Sequence, residues 1–182
     1  SGGARRIGEW TANNFGTLAN VSRLGLKAGH LASGIVGDNF LGRISGGAWK
    51  RLMPHAGKAP AARTSEGDPV VYFPACGGRI FGPSEAGEAQ LGDVIMTLLT
   101  RAGYAPRLPQ DFDKLCCGQM LASKGMADEA EGMSNRLESA LVKASENGRY
   151  PVIMDASTCT ARMKKHLAGR LRLYDFHEFA HD

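Results

Sequence analysis

A chain of 182 residues, 43% of them hydrophobic and 22% charged, is long enough for one buried core plus an extension, and its charge content is that of a soluble domain. No apolar run approaches the ~20 residues that cross a bilayer, and the start lacks a basic segment followed by an apolar signal core, so the expected location is the cytoplasm, with peripheral contact at the inner face of the membrane as the alternative. The formal charge of +4 divides unevenly, with nine Lys/Arg against two Asp/Glu in residues 1–65 and an acidic excess in residues 66–182. The basic segment is either a solvated helical face or a docking surface for anions, and without a recognisable motif it does not point to nucleic acid as a partner.

Ser1-Gly2-Gly3 reads as a flexible linker outside the fold. From Ile7 to Leu52, apolar positions such as Trp10, Phe15, Leu18, Leu24, Leu31 and Trp49 are spaced as in helices. Gly16, Gly25, Gly29, Gly34, Gly37 and the Gly46-Gly47 pair interrupt them. Each interior glycine costs a helix up to about 1 kcal/mol relative to alanine, so the expectation is several short helices packed on something else. Pro54 to Asp68 turns to Pro, Gly, Ala, Lys and Ser and reads as a linker. Residues 1–65 are therefore expected to be a helical connection and linker, and residues 66–182 a separate domain.

In that second part, Val70-Val71-Tyr72-Phe73 is a compact apolar run, read as a buried strand, ending in the glycine-rich turn Cys76-Gly77-Gly78. A helix is expected from Ser84, a candidate N-cap, with Leu91, Val94, Ile95, Leu98 and Leu99 on one face and a stop at Gly103. A short strand follows around Ala105 to Leu108, then Leu115-Cys116-Cys117-Gly118, then a helix carrying Met126, Ala130, Met133, Leu137 and Leu141. Pro151 to Met154 is the next strand, a helix opens around Asp155 to Cys159, and Leu171 to Phe176 forms a last strand before a terminal helix. Strands alternating with amphipathic helices give an α/β class with a Rossmann-like, mostly parallel sheet covered on both faces, because each parallel crossover needs a connecting helix.

In such sheets ligands gather at the carboxyl ends of the strands, and all four cysteines fall there by sequence. Cys76 follows the first strand, Cys116 and Cys117 the second, and Cys159 the third, at a helix start, where the helix terminus favours the thiolate that binds metal. Gly77, Gly78 and Gly118 would let backbone approach a bulky cofactor. Buried cysteine is also a common core filler, and four thiolates suit tetrahedral zinc as well as an iron–sulfur cluster, so the residues alone leave these alternatives open. Disulfides are not expected in a cytosolic protein, least of all between adjacent cysteines.

Three runs carry a family resemblance: Val70-Val71-Tyr72-Phe73-Pro74-Ala75-Cys76, then Leu115-Cys116-Cys117-Gly118-Gln119-Met120 with Ser123-Lys124-Gly125, and Asp155-Ala156-Ser157-Thr158-Cys159-Thr160-Ala161-Arg162-Met163. Over roughly residues 69–180 the sequence resembles the CCG, or cysteine-rich, domain of heterodisulfide reductase, glycolate oxidase iron–sulfur subunits and D-lactate dehydrogenases, and most of all the large D-lactate dehydrogenases built as one polypeptide. The resemblance implies a fragment, residues 66–182 being one CCG domain, of an FAD- and iron–sulfur-dependent D-2-hydroxyacid dehydrogenase. Its FAD and its ferredoxin-like domain would lie elsewhere in the parent protein and serve as partners, with a quinone or another redox carrier as electron acceptor. The fragment itself would have no catalytic residues and would transfer electrons through a [4Fe–4S] cluster on Cys76, Cys116, Cys117 and Cys159, with Gly77, Gly118 and Arg162 contacting the cofactor. A structural or docking domain holding zinc or no metal is the alternative.

The fuller family pattern ends in C-x-x-C, whereas here Arg162 stands where the last cysteine would be, which removes the five-cysteine set that holds a non-cubane cluster in relatives. Arg162 either offsets the charge of an anionic cluster or is an ordinary exposed helix arginine. Gln119, Ser123, Lys124, Asp155, Ser157, Thr158 and Thr160 are candidate hydrogen-bonding groups at the same edge, Ser157 or Thr158 being the expected helix cap. Thiol catalysis through Cys116 and Cys117 would require one thiol with a strongly lowered pKa. His30, His55, His166, His177 and His181 are read as surface or capping residues, with His177 and His181 as a metal-site alternative.

Overall fold

The computed structural model describes residues 2–62, 65–85 and 87–181. Four strands, β1 (Asp68–Phe73), β2 (Tyr104–Arg107), β3 (Val152–Met154) and β4 (Leu173–Asp175), form one all-parallel sheet in the order β2-β1-β3-β4. Val70 to Phe73 and Val152 to Met154 are buried on both sides, as central strands of a parallel sheet must be. One face packs Val71, Phe73, Val152 and Met154 against α7 (Ala127–Ala144) and α8 (Ser157–Leu167). The other packs Val70, Tyr72 and Ile153 against α5 (Leu91–Arg101) and α9 (Phe176–His181). The α/β class and parallel sheet expected from the alternating pattern are present.

The backbone leaves β1 for β2 on one side and β3 for β4 on the other, so a crevice opens between the carboxyl ends of β1 and β3, where the strand order reverses. Two short helices sit above it, α4 (Cys76–Ile80) and α6 (Gln119–Ala122).

The helix expected from Ser84 begins only at Leu91, with Gln90 at its N-cap position. Residues before it are held otherwise: Phe81 bridges Ala56, and the Gly57 and Gly82 amides donate to the Ile80 and His55 carbonyls. The supposed linker is thus tied to the domain, Arg63 and Thr64 of that stretch lying outside the described residues. The inward face of α5 is Ile95, Met96 and Leu99, while Leu91, Val94 and Leu98, expected to face inward, are exposed.

The N-terminal segment forms α1 (Gly2–Asn13), α2 (Phe15–Val36) and α3 (Asp38–Ile44). Gly2 and Gly3 belong to α1 and not to a flexible linker; Ser1 lies outside the described residues. The expectation of short helices fails at α2, which runs 22 residues through four glycines. Two of these are explained by contact: the Lys114 side chain lies against Gly16 and the Trp49 ring against Gly29, where a Cβ would collide with it. Phe15, Ala19 and Leu26 face the domain, and Val21, Leu24, Leu31 and Ile35 point outward. Among the described residues no helix is long and apolar enough to cross a membrane.

Candidate cysteine site

Each cysteine is delivered to the crevice by a separate local device. Cys76 opens α4 directly after β1, Cys116 and Cys117 lie between a 3-10 turn (Phe112–Lys114) and α6, and Cys159 sits in the first turn of α8. All four line one cavity of about 400 Å³, together with Gly77, Gly78, Leu91, Met120 and Asp155. The sulfurs stand in two pairs, Cys76 with Cys116 at 3.4 Å and Cys117 with Cys159 at 3.0 Å, and none is in a disulfide. A hollow of about 880 Å³ on the N-terminal helices, lined by Gly37, Asp38, Phe40, Arg43 and Arg51, holds no thiol.

The sulfurs polarise one another, within each pair and between the neighbours Cys116 and Cys117. Hydrogen bonds from Cys116 and Cys159, then the Gln119 amide and the Arg162 charge, hold the Cys117 thiol at about 3, overcoming burial. Cys76 is also lowered, by its hydrogen bond to Cys116 and by Arg79. Cys116 and Cys159 are pushed up by those same bonds and by burial, so they keep their protons. Position at a helix start therefore does not make Cys159 a thiolate; contact between sulfurs decides which thiol ionises.

Two supporting residues were not singled out for these roles by the sequence. Arg79 is 1% exposed and donates from Nε to the Pro74 carbonyl at 3.0 Å and from its two Nη atoms to the Phe112 and Leu115 carbonyls at 2.6 Å. Its guanidinium lies 5.3 Å from the Phe73 ring centre and 5.8 Å from that of Phe112. The only signal was a charged residue between two glycines and Ile80-Phe81. Asp155, named merely as a nearby polar group, accepts from the Tyr72 hydroxyl and the Ala75 amide at 2.6 Å each. Burial raises its carboxyl above the usual range despite these bonds.

Gly77 lines the cavity with open space where a Cβ would stand, whereas Gly118 answers to the fold: its φ of +81° and its close approach to the Ala130 carbonyl both demand glycine. Arg162 is not an ordinary exposed arginine. With 18% of its side chain exposed, it donates from Nε to the Cys117 carbonyl at 2.7 Å and to Ser134 at 3.1 Å, and lies 3.7 Å from Glu131. Ser157 and Thr158 do not cap α8, whose N-cap position is Ala156; Thr158 and Ser123 line the cavity, while Thr160 is buried and bonds Ala156 and Asp175. Gln119 lines the cavity and Lys124 is exposed. His166 is no surface residue, because its ring nitrogens face Glu131 at 2.9 Å and Glu138 at 2.8 Å. His30 stacks on His55, and His177 and His181 are exposed.

Among the described residues no group of three or more His, Cys, Asp or Glu side chains is disposed to hold a metal ion, which includes His177 and His181. The sulfur pairs at 3.0 and 3.4 Å are closer than the about 3.8 Å that separates two thiolates on one tetrahedral zinc with bonds of ~2.3 Å. That spacing belongs to thiols hydrogen-bonded to one another. By its chemistry, though not by its present spacing, the donor set suits a thiolate-bound metal centre: four sulfurs from three loops line one cavity, and the nearby buried guanidinium pairs with no carboxylate among the described residues. No protein-family model, curated protein or solved structure matches the sequence.

Proposed function

We propose that this domain carries an iron–sulfur cluster on Cys76, Cys116, Cys117 and Cys159 and passes electrons within an FAD- and iron–sulfur-dependent D-2-hydroxyacid dehydrogenase, with D-lactate as the expected substrate of the whole enzyme. The observation that carries the reading is the meeting of four thiols from three loops at the point where the sheet order reverses. A bound cluster supplies a one-electron carrier whose potential follows its charge, hydrogen bonds and exposure. The protein's own part is to bind and orient: Cys117 is poised as thiolate, Asp155 fixes the turn before Cys76, and Arg79 and Arg162 hold the carbonyls on either side of the cysteine pair. Leu91 and Met120 give the cavity wall apolar side chains.

Anaerobic reconstitution with ferrous iron and sulfide, followed by metal analysis and an absorption spectrum, tests the reading. Wild type is expected to take up iron and sulfide in constant proportion with visible charge-transfer bands, and Cys116→Ser/Cys117→Ser to lose both. A colourless protein with zinc, or with no metal, would favour the structural or docking role.

The sulfur geometry favours a second reading, a dithiol centre. Cys117 as thiolate would attack the disulfide of a partner, and Cys159, 3.0 Å away, would displace the mixed disulfide, releasing the partner's thiols and closing Cys117–Cys159. Iron uptake separates the two, since a thiol–disulfide centre requires none.

A further inference from the structure

The cation that answers the cysteine site is not the one suggested by the missing fifth cysteine. Arg162 shares its charge with Glu131 and sits partly exposed. Arg79 is buried under the site, and among the described residues no carboxylate forms an ion pair with it. Burial acts against its charge, and the groups that favour it are the sulfur of Cys76, a thiol held below its ordinary range, then that of Cys116, then Asp113; Asp155 feels it too, but is already bonded to Tyr72 and Ala75. A second cation reinforces the imbalance, because Arg23 of α2 acts on Arg79 and its own buried Nε has no hydrogen-bond partner among the described residues. A guanidinium does not shed its proton, and a buried charge persists only when paired or compensated. Its donors go to neutral carbonyls, so compensation must come from the sulfur site.

We propose that Arg79 is a positioning residue that ties the Cys76 turn to the Cys116-Cys117 loop and sets a fixed positive charge behind those two sulfurs, so that the site takes its metal in an anionic, thiolate-rich complex and holds it at a raised reduction potential. The inference rests on the metal-binding part of the function proposed for this site. Three bonds reach carbonyls on both sides of the cavity: Pro74 precedes Cys76, and Phe112 and Leu115 precede Cys116. The same arginine therefore spaces the loops and offsets charge. Adding an electron to a thiolate-bound cluster makes it more negative, and a fixed cation nearby favours that state.

The test compares wild type, Arg79→Lys, Arg79→Gln and Arg162→Gln. In reconstituted protein, the ratio of reduced to oxidised Arg79→Gln at the wild-type midpoint should be about tenfold lower than that of wild type, equivalent to a drop of about 59 mV for one electron. Arg79→Lys should stay near wild type, and Arg162→Gln should shift less than Arg79→Gln. A wild-type potential in Arg79→Gln overturns the proposal. A second arm needs no iron: cobalt(II) affinity at fixed pH, read from thiolate-to-cobalt absorption, should fall about tenfold in Arg79→Gln and stay within about threefold in Arg79→Lys. Equal affinities across the variants overturn it. Should Arg79→Gln fail to fold, Arg79→Lys decides, wild-type cobalt affinity supporting the charge role and a tenfold loss contradicting it. Should wild type refuse iron yet bind cobalt, the electron-transfer reading fails while the cobalt arm still tests Arg79.

Discussion

Asp155 accepts hydrogen bonds from the Tyr72 hydroxyl and the Ala75 amide, both at 2.6 Å, and so fixes the turn that delivers Cys76. Asp155→Asn sets an amide NH2 against one of these two donors, leaving it without its acceptor, and should lower stability by about 1–3 kcal/mol, read from urea unfolding. Cys117 gives a pH dependence with a definite sign. Its thiol is held at about 3 in the fold against an ordinary value of about 8.5, so the folded protein binds fewer protons than the unfolded one between those limits. Its contribution to stability is present above the unfolded value and is lost as pH falls toward the folded one. Cys116 and Cys159 act oppositely: their raised values remove stability as pH climbs past the unfolded thiol range. Cobalt- and iron-free wild type should therefore gain more stability between pH 5 and 8 than Cys117→Ser; equal slopes would contradict the assignment. Which thiol ionises was not legible in the sequence, because it depends on sulfur-to-sulfur distances that no spacing of cysteines records.

At the level of elements, the strands were legible because central parallel strands leave unbroken apolar runs such as Val70 to Phe73, and α7 because its apolar positions repeat at helical spacing. The start of α5 was not. Ser84 looks like a helix cap, but the segment is taken up by contacts with Ala56 and His55, partners more than twenty residues away. In α2, local glycine costs predicted breaks that contacts with Lys114 and Trp49 override. Gly118 joins the two levels: it is the left-handed N-cap of α6, and its lack of a side chain lets α7 approach at Ala130. Gly118→Ala should cost about 1–3 kcal/mol from backbone strain, with added cost from the collision, and should weaken cobalt binding by displacing Cys117. Wild-type stability and cobalt affinity in that variant would show that the loop tolerates a shift without consequence for the site.

Across the whole molecule, one sheet with reversed strand order gathers the loop carrying Cys76 and the helix carrying Cys159, and the β2 connection brings Cys116 and Cys117 over them. The cysteine edge was legible because strand-to-helix junctions are marked in the sequence by the ends of apolar runs. The buried arginine beneath it was not, since nothing local separates Arg79 from a surface charge. The N-terminal helices complete the frame, α1 on α7 through Arg136 and the Ala12 carbonyl and α2 against α4 and the 3-10 turn, so the basic segment belongs to the scaffold that supports the site. The central claim is that the four cysteines hold a group that carries electrons. The most direct measurement is a redox titration of the reconstituted protein under argon, reduced with dithionite and reoxidised with a soluble quinone while the visible bands are followed. Reversible bleaching and recovery, absent from Cys116→Ser/Cys117→Ser, is the predicted result; iron that binds without cycling, or cycling that survives loss of both cysteines, would contradict it.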